Sequence, residues 1–95
     1  MKVRWDPKAL ERLEAEGDYI AQDSPAAASS VIARIFAAVD GLATYPLKGR
    51  QGRVTGTREL VIPRTSYIVV YRVRGQVVEI LALQHTAQQW PESFH

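Results

Sequence analysis

Residues 56–85, GTRELVIPRTSYIVVYRVRGQVVEILALQH, decide the fold that the sequence predicts. They contain three runs rich in β-branched and aromatic residues, at 57–62, 67–74 and 76–84, and such runs favour strands. Short turns at 63–66 and 74–76 join the runs, so consecutive strands form an antiparallel meander. Apolar residues on both faces of the middle strand predict a sheet covered on both sides. The helices upstream supply one cover, and the C-terminal tail or a partner protein supplies the other.

Alternation along the third strand predicts which of its side chains share a face, because successive strand residues point to opposite sides of a sheet. One face is expected to carry Val78, Ile80, Ala82 and Gln84, and the other Val77, Glu79, Leu81, Leu83 and His85.

The segment upstream of the sheet predicts a strand and two helices. Residues 2–5 form a strand candidate, and Asp6-Pro7 and Ser24-Pro25 are each a capping residue followed by a proline, which is typical of a helix start. The helices run to about residues 22 and 43, and their short connection makes them an antiparallel hairpin. Residues 46–56 are predicted as a surface loop, and the tail after residue 86 as one helical turn that docks Trp90. The fold class is α+β, in the order β-α-α-β-β-β, as one domain over residues 1–95.

Composition excludes several classes of function. The chain has 95 residues, a net charge of +2 and no cysteine, so disulfides, thiolate zinc sites and thiol catalysis are excluded. No signal sequence or membrane-spanning run is recognised, so a cytoplasmic protein without membrane contact is expected. Residues 48–74 hold seven of the twelve basic residues against one acidic residue. Such a cluster suits an anionic partner, either nucleic acid or an acidic protein surface, although arginines also serve simply as solubilising residues at strand edges and loops.

The residues give weak support for catalysis. His85 lies at a strand end, but Glu79, the nearest carboxylate on its predicted face, is about 20 Å away along an extended strand. Two histidines and no acidic cluster argue against a metal site, and no cofactor is predicted. The chemistry that remains is cation-assisted phosphodiester cleavage, with Arg58 and Arg72 stabilising negative charge and His85, Tyr67 or Tyr71 as acid or base.

The order of the elements, together with the segments PLKGR, GTRELVIP, YIVVYRV and LQHTAQQWP, resembles the RelE/ParE toxin superfamily. The resemblance extends from Trp5-Asp6 to Trp90-Pro91. It implies the toxin of a type II toxin-antitoxin pair, a cytoplasmic bacterial protein that a small antitoxin neutralises. The C-terminal segment of the antitoxin would wrap the toxin while its N-terminal part binds operator DNA, so the toxin would meet DNA only indirectly.

Two branches of the superfamily differ in their targets. RelE-type members are ribosome-dependent mRNA endonucleases and typically have an arginine after the tyrosine that opens the second meander strand, where this chain has Ile68 after Tyr67. Gln88 stands where many relatives have arginine, no tyrosine follows Tyr71, and Tyr45 stands approximately where YoeB-type nucleases have glutamate. The resemblance therefore implies the ParE branch, whose members bind DNA gyrase without a catalytic centre of their own.

Within this resemblance we assign residues to partners. The target, which is gyrase on the ParE interpretation, is predicted to contact Arg58, Arg72, His85 and Trp90. A ParD-like antitoxin is predicted to contact Leu13, Ile20, Ile35 and Tyr71. The alternative, a RelE-type endonuclease, would use Arg58, Arg72 and His85 as catalytic residues, and a non-toxic member also stays open. Truncation after Leu83 is expected to abolish toxicity by removing the tail.

Overall fold

The computed structural model describes residues 1–87 and 89–94. Strand β1 (Lys2–Trp5) precedes helices α1 (Pro7–Ala21) and α2 (Pro25–Asp40) and a 3-10 turn (Gly41–Ala43). The later strands are β2 (Arg50–Gln51), β3 (Arg58–Val61), β4 (Tyr67–Arg74) and β5 (Val77–His85). The predicted α+β order is confirmed. The two-residue strand β2 is an addition, since it lies within the segment that was predicted to be an irregular loop.

Both helices begin where the sequence predicts. The Asp6 side chain accepts a hydrogen bond of 2.9 Å from the backbone N–H of Lys8, and the Ser24 hydroxyl accepts one of 3.1 Å from Ala27. Each bond satisfies an amide that has no partner within the helix. A Cβ at Gly17 would lie 2.5 Å from Cδ1 of Ile32, so this glycine lets the two helices approach closely.

The five strands form one mixed sheet in the order β1-β5-β4-β3-β2. The pairs β2–β3, β3–β4 and β4–β5 are antiparallel, which confirms the predicted meander. β1 lies parallel to β5, with Lys2 opposite Val77 and Trp5 opposite Ile80. This parallel pairing joins the two ends of the chain and was not predicted from the sequence.

A β-bulge in β5 changes which side chains share a face. Val70 pairs with Ala82 and Tyr71 pairs with Ile80, which leaves Leu81 as the extra residue. A bulge inserts one residue into one strand and so inverts the alternation beyond it. The predicted alternation is therefore wrong beyond Leu81. The buried residues of β5 are Val78, Ile80 and Leu83 on the face toward the helices, and Glu79, Leu81 and Gln84 outside that core cluster.

The main core lies between the helical hairpin and one face of the sheet. Tyr71, Val69 and Ile80 are fully buried in its centre. It consists of Ala9, Leu13, Ile35, Val39, Leu42, Leu60, Ile62, Tyr67, Val69, Tyr71, Val78, Ile80 and Leu83. By composition and length alone the stretch Pro25–Ala43 could cross a membrane, contrary to expectation. Its buried residues contribute to this core, which is the behaviour of an apolar core helix in a two-layer domain.

The second face of the sheet is partly covered by Arg53 of the 46–56 loop and by Trp90 of the tail. Val70 is fully buried there although it belongs to no part of the main core. Arg53 of the loop bonds to Glu59 on β3, and its guanidinium lies 3.7 Å from the centre of the Trp90 ring. The loop and the tail therefore meet over this face. The tail has a turn at Thr86 and Ala87 and no helix in residues 89–94, so the predicted helical turn is not seen in the part of the tail that is described.

Candidate functional site

Most of the clustered arginines surround two buried glutamates. The Glu59 side chain is only 2% exposed and accepts hydrogen bonds from Arg50 Nη2 at 3.0 Å, Arg53 Nε at 3.1 Å and the Arg53 backbone N–H at 2.8 Å. Burial alone would raise the pKa of Glu59, but the hydrogen bonds from Arg53 and Arg50 outweigh it and lower that pKa. Glu59 therefore stays ionised and fixes the loop onto the sheet.

Glu79 plays the same part at the other edge of the second face. Arg72 Nε donates to it at 2.8 Å, Arg4 donates to its second oxygen, and Arg74 Nε lies 3.6 Å away. The hydrogen bond from Arg72 is the main reason that the pKa of Glu79 lies below its ordinary value. Five arginines thus share two carboxylates, so this face keeps excess positive charge while the individual guanidinium groups are held in place.

Arg58 is bound to backbone carbonyl groups. Its Nη1 donates to the carbonyl oxygen of Gly49 at 2.8 Å and to that of Leu47 at 3.4 Å. Arg58 and Arg72 both line a depression that also includes Leu47 and Thr57. The structure therefore brings together two of the four predicted target-binding residues, one holding a loop and the other holding a glutamate.

His85 lies away from those arginines. It pairs with Tyr67 across the β4–β5 ladder, and Tyr67 is five residues, about 17 Å of extended strand, from Arg72. The His85 ring meets the Tyr67 ring edge to face at 5.4 Å, and its Nδ1 accepts a hydrogen bond of 3.1 Å from the Ala87 N–H. An acceptor Nδ1 places the proton of a neutral imidazole on Nε2. His85 is therefore part of the end of the sheet and not of the arginine cluster.

Tyr67 is linked to α1 by a chain of hydrogen bonds. Its hydroxyl donates to Glu16 Oε2 at 3.0 Å, while Glu16 Oε1 accepts from Arg12 Nε at 2.9 Å. Burial, with the neighbouring Glu16 carboxylate second, raises the pKa of Tyr67 to about 12. Tyr67 consequently remains protonated at neutral pH and cannot serve as a general base there.

Trp90, the fourth predicted target-binding residue, is half-buried in the tail. It stacks under the Arg53 guanidinium and meets the Phe94 ring at 6.4 Å. Arg53 in turn bonds to Glu59, so Trp90 is connected to the basic loop. The four predicted residues therefore occupy three separate places: the Arg58–Arg72 depression, the end of β5 and the tail.

The predicted antitoxin-binding residues are mostly inside the chain. Leu13 and Ile35 are 2% and 1% exposed, and Tyr71 is fully buried, because their side chains form the core between hairpin and sheet. They are therefore unavailable to a partner, and the prediction needs correction for these three. Ile20 is partly buried against the core. The large apolar residues that the two helices do expose are Leu10, Tyr19 and Phe36.

Several important residues were missed from the sequence. Glu59 and Glu79 were not recognised as the centres of the arginine cluster, although a glutamate inside an apolar strand, as in Val78-Glu79-Ile80, is a usable signal for a buried charge with partners. Glu16 and Tyr67 are 51 residues apart in the chain, so no local sequence pattern indicates that they form a hydrogen bond. In residues 1–87 and 89–94, no three histidine, aspartate or glutamate side chains come together as a metal site.

Fold and surface together define a small α+β protein with a basic, loop-covered sheet, and the comparisons with known proteins agree on its family. The protein-family model described as the ParE toxin of type II toxin-antitoxin system, parDE, matches residues 3–90. The chain is 50% identical over 91 residues to "Putative toxin Y4kP" of Sinorhizobium fredii, covering 96% of this chain and 94% of that protein. It is 38% identical over 87 residues to Toxin RelE2 of Caulobacter vibrioides, covering 92% and 97%.

A solved structure is similar as well. A chain of the chromosomal ParDE system from P. aeruginosa superposes with a TM-score of 0.79 at 28% identity, over 90% of this chain and 95% of that one. The chain belongs to the ParE toxin family, and it is the toxin of a type II toxin-antitoxin system within the RelE/ParE superfamily.

Proposed function

We propose that this toxin inhibits DNA gyrase by binding to it, without catalytic chemistry of its own, and that a ParD-like antitoxin neutralises it in the bacterial cytoplasm. The proposal rests on one observation: the candidate catalytic groups are bound to other parts of the chain and lie far from one another. Arg72 is bound to Glu79, Arg58 holds backbone carbonyls, and His85 lies about 17 Å of strand from Arg72.

Cleavage of a phosphodiester requires a base, an acid and a cation within hydrogen-bonding reach of one phosphate. The two candidate tyrosines, Tyr67 and Tyr71, do not supply the missing base. The pKa of Tyr67 is raised to about 12, and burial raises the pKa of Tyr71, which has no exposed surface. A fixed basic face without a convergent acid–base pair is suited to binding a protein target, which supports inhibition by association.

The second candidate is a ribosome-dependent mRNA endonuclease. It is favoured by the similarity to Toxin RelE2 and by the depression that Arg58 and Arg72 share. In that mechanism the two arginines would stabilise the negative charge of the cleaved phosphate. His85 would have to move toward them to act as acid or base.

The antitoxin is proposed to bind the outer side of the helical hairpin. The large apolar side chains that the helices expose are Leu10, Tyr19 and Phe36, at 37%, 68% and 37%. A groove between the helices is lined by Gly17, Ala21 and Ala33 among others, and these small side chains leave room for a partner. An amphipathic partner helix fits such a surface. The similarity to a ParDE system supports an antitoxin of the ParD type.

One pair of assays tests the proposed function. The purified toxin is added to gyrase in a DNA-supercoiling reaction, and separately to translating ribosomes with a defined mRNA. We expect loss of supercoiling and intact mRNA, with supercoiling restored to the untreated level when the antitoxin is added. Codon-specific mRNA cleavage with unchanged supercoiling would show that the endonuclease hypothesis is right and that ours is wrong.

A further inference from the structure

Residues 45–48, Tyr-Pro-Leu-Lys, present two large apolar side chains to solvent on one short segment. Tyr45 is 68% exposed and Leu47 is 62% exposed. Scattered exposed apolar residues are common on protein surfaces and need no explanation. Here, however, the two side chains belong to a segment whose backbone is held in place by hydrogen bonds from the sheet. Exposed apolar side chains on such an ordered segment do require an explanation.

Two side chains from the sheet hold this backbone from below. The Tyr71 hydroxyl donates to the carbonyl oxygen of Pro46 at 2.8 Å and accepts from the Gly49 N–H at 2.9 Å. Arg58 donates to the carbonyl oxygens of Gly49 and Leu47. Within the segment, the Lys48 N–H donates to the Tyr45 carbonyl oxygen at 3.1 Å. Each bond fixes the backbone and leaves the apolar side chains of Tyr45 and Leu47 outside.

Such an arrangement lowers the entropic cost of binding. Ordering a loop when two proteins associate opposes their affinity, whereas a loop already ordered in the free protein avoids that cost. Exposed aromatic and aliphatic side chains on an ordered loop are therefore suited to be the buried anchors of an interface. The fold itself gains little from Tyr45 and Leu47, because both remain largely in water.

The charges around the segment indicate the partner. Lys48 belongs to it, the exposed Arg50 follows two residues later, and Leu47 borders the depression that Arg58 and Arg72 line. A complementary surface would have an apolar cleft with acidic groups at its rim. Tyr45 and Lys48 could contact a base and a phosphate, but the aliphatic side chain of Leu47, 62% exposed, could do neither. Burial of Leu47 together with Tyr45 therefore favours an apolar cleft on a protein over a nucleic acid.

We propose that this toxin binds its protein target through the 45–48 segment, with Tyr45 and Leu47 entering an apolar cleft that has acidic groups at its rim. The proposal rests on the proposed function, since it takes the target to be a protein, and it specifies the contact surface. The surface proposed above for the antitoxin is made of other residues, on the two helices.

The test uses the double variant Tyr45→Ser/Leu47→Ser and the control Val61→Thr, which changes an exposed apolar side chain of β3 that is 48% exposed. Each variant is compared with wild type for growth arrest after induction without antitoxin, for affinity to purified gyrase, and for affinity to the antitoxin. We expect the double variant to lose growth arrest and to bind gyrase about tenfold more weakly or worse, as for removal of two interface anchors. Its antitoxin affinity and melting temperature, and all properties of Val61→Thr, should match wild type.

The outcomes separate this inference from the proposed function. Equal gyrase affinity of wild type and double variant would overturn the inference and leave gyrase as the target. If the wild-type toxin does not bind gyrase, the proposed function is wrong, and the inference is then tested by growth arrest alone. A double variant that still arrests growth would show that the segment does not bind the target. An equal loss of gyrase and antitoxin affinity would also overturn it, because the segment would then serve both partners or the fold.

Discussion

The buried hydroxyl of Tyr71 accepts a 2.9 Å hydrogen bond from the backbone N–H of Gly49, and a Cβ at Gly49 would lie 2.7 Å from that same hydroxyl and from Cε1 of the ring. The two residues are therefore matched: the tyrosine orders the loop, and only glycine permits the tyrosine to reach it. Tyr71 was predicted as an antitoxin contact, but this bond gives it a structural role beneath the 45–48 segment.

Replacing Tyr71 by phenylalanine should loosen the segment without exposing new surface. The Gly49 N–H and the Pro46 carbonyl would lose their partner, and an unsatisfied buried polar group costs about 1–3 kcal/mol. We expect a drop of that size in the free energy of unfolding, measured in urea, together with weaker target binding and unchanged antitoxin binding. Tyr19→Phe is the control, because Tyr19 is 68% exposed. Equal unfolding free energies for Tyr71→Phe and wild type would contradict the role given to the hydroxyl.

Gly49→Ala should be more damaging than Gly41→Ala. The new Cβ would meet Tyr71 at 2.7 Å and the backbone oxygen of Glu59 at 2.9 Å, and a backbone atom cannot rotate away. Overpacking of this kind costs about 1–3 kcal/mol, which thermal unfolding would detect as a lower melting temperature. Gly41→Ala is the matched control, since nothing lies within 4 Å of its Cβ position. If both variants melted like wild type, the close approach of Gly49 and Tyr71 would be refuted.

Stability should fall in acid because of the two arginine-bound glutamates. The pKa of Glu59 is lower in the folded chain than the ordinary value of 4.5. Between those two pKa values the unfolded chain binds more protons, so the stabilisation is complete above the ordinary pKa and is lost as pH falls through the folded one. Urea unfolding from pH 7 to pH 3 should show the decline begin near pH 4.5.

Glu59→Gln should flatten that pH dependence and lower stability at pH 7, because the charge-assisted bonds from Arg50 and Arg53 disappear. Glu14→Gln, an exposed position on α1, is the control and should keep the wild-type profile. A Glu59→Gln profile that declined as steeply as wild type would assign the acid sensitivity to other groups, with Glu79 first among them.

Tyr67→Phe distinguishes a binding toxin from a nuclease that uses this tyrosine. The hydroxyl donates to Glu16 and its pKa of about 12 keeps it protonated, so its removal should lower stability modestly and leave growth arrest intact. Growth curves after induction, beside a melting curve, check both expectations. Loss of growth arrest with an unchanged melting temperature would implicate the hydroxyl in chemistry and favour the endonuclease.

Truncation after Ala87 tests the tail better than truncation after Leu83. Truncation after Leu83 would also remove Gln84 and His85, which pair with Ile68 and Tyr67 in the sheet. A loss of toxicity in that variant could therefore result from unfolding. Ending at Ala87 keeps β5 whole and removes Trp90 with its stacking on Arg53. We expect the melting temperature to fall only slightly and gyrase affinity to weaken. Unchanged gyrase affinity would exclude Trp90 as a target contact.

Local sequence signals predicted the elements closely because each depends on near neighbours. The caps at Asp6 and Ser24 satisfy amides two or three residues away, and β1 and β4 occupy the predicted residues. The β5 bulge at Leu81 was not predictable from alternation, since an extra residue shows itself only against its partner strand. That one residue moved Leu83 to the helix-facing side and separated His85 from Glu79.

The site was less predictable because its groups meet across the chain. The sequence by itself determined a positively charged α+β domain with two capped helices and a three-stranded meander, through propensities and patterns that act over a few residues. Only the tertiary structure decided that β1 joins β5 in parallel, that Glu59 and Glu79 gather the arginines, and that Tyr71 orders the segment bearing Tyr45 and Leu47. Those pairings link residues far apart in the chain, and packing and the satisfaction of buried charges select them only when the whole sheet is assembled.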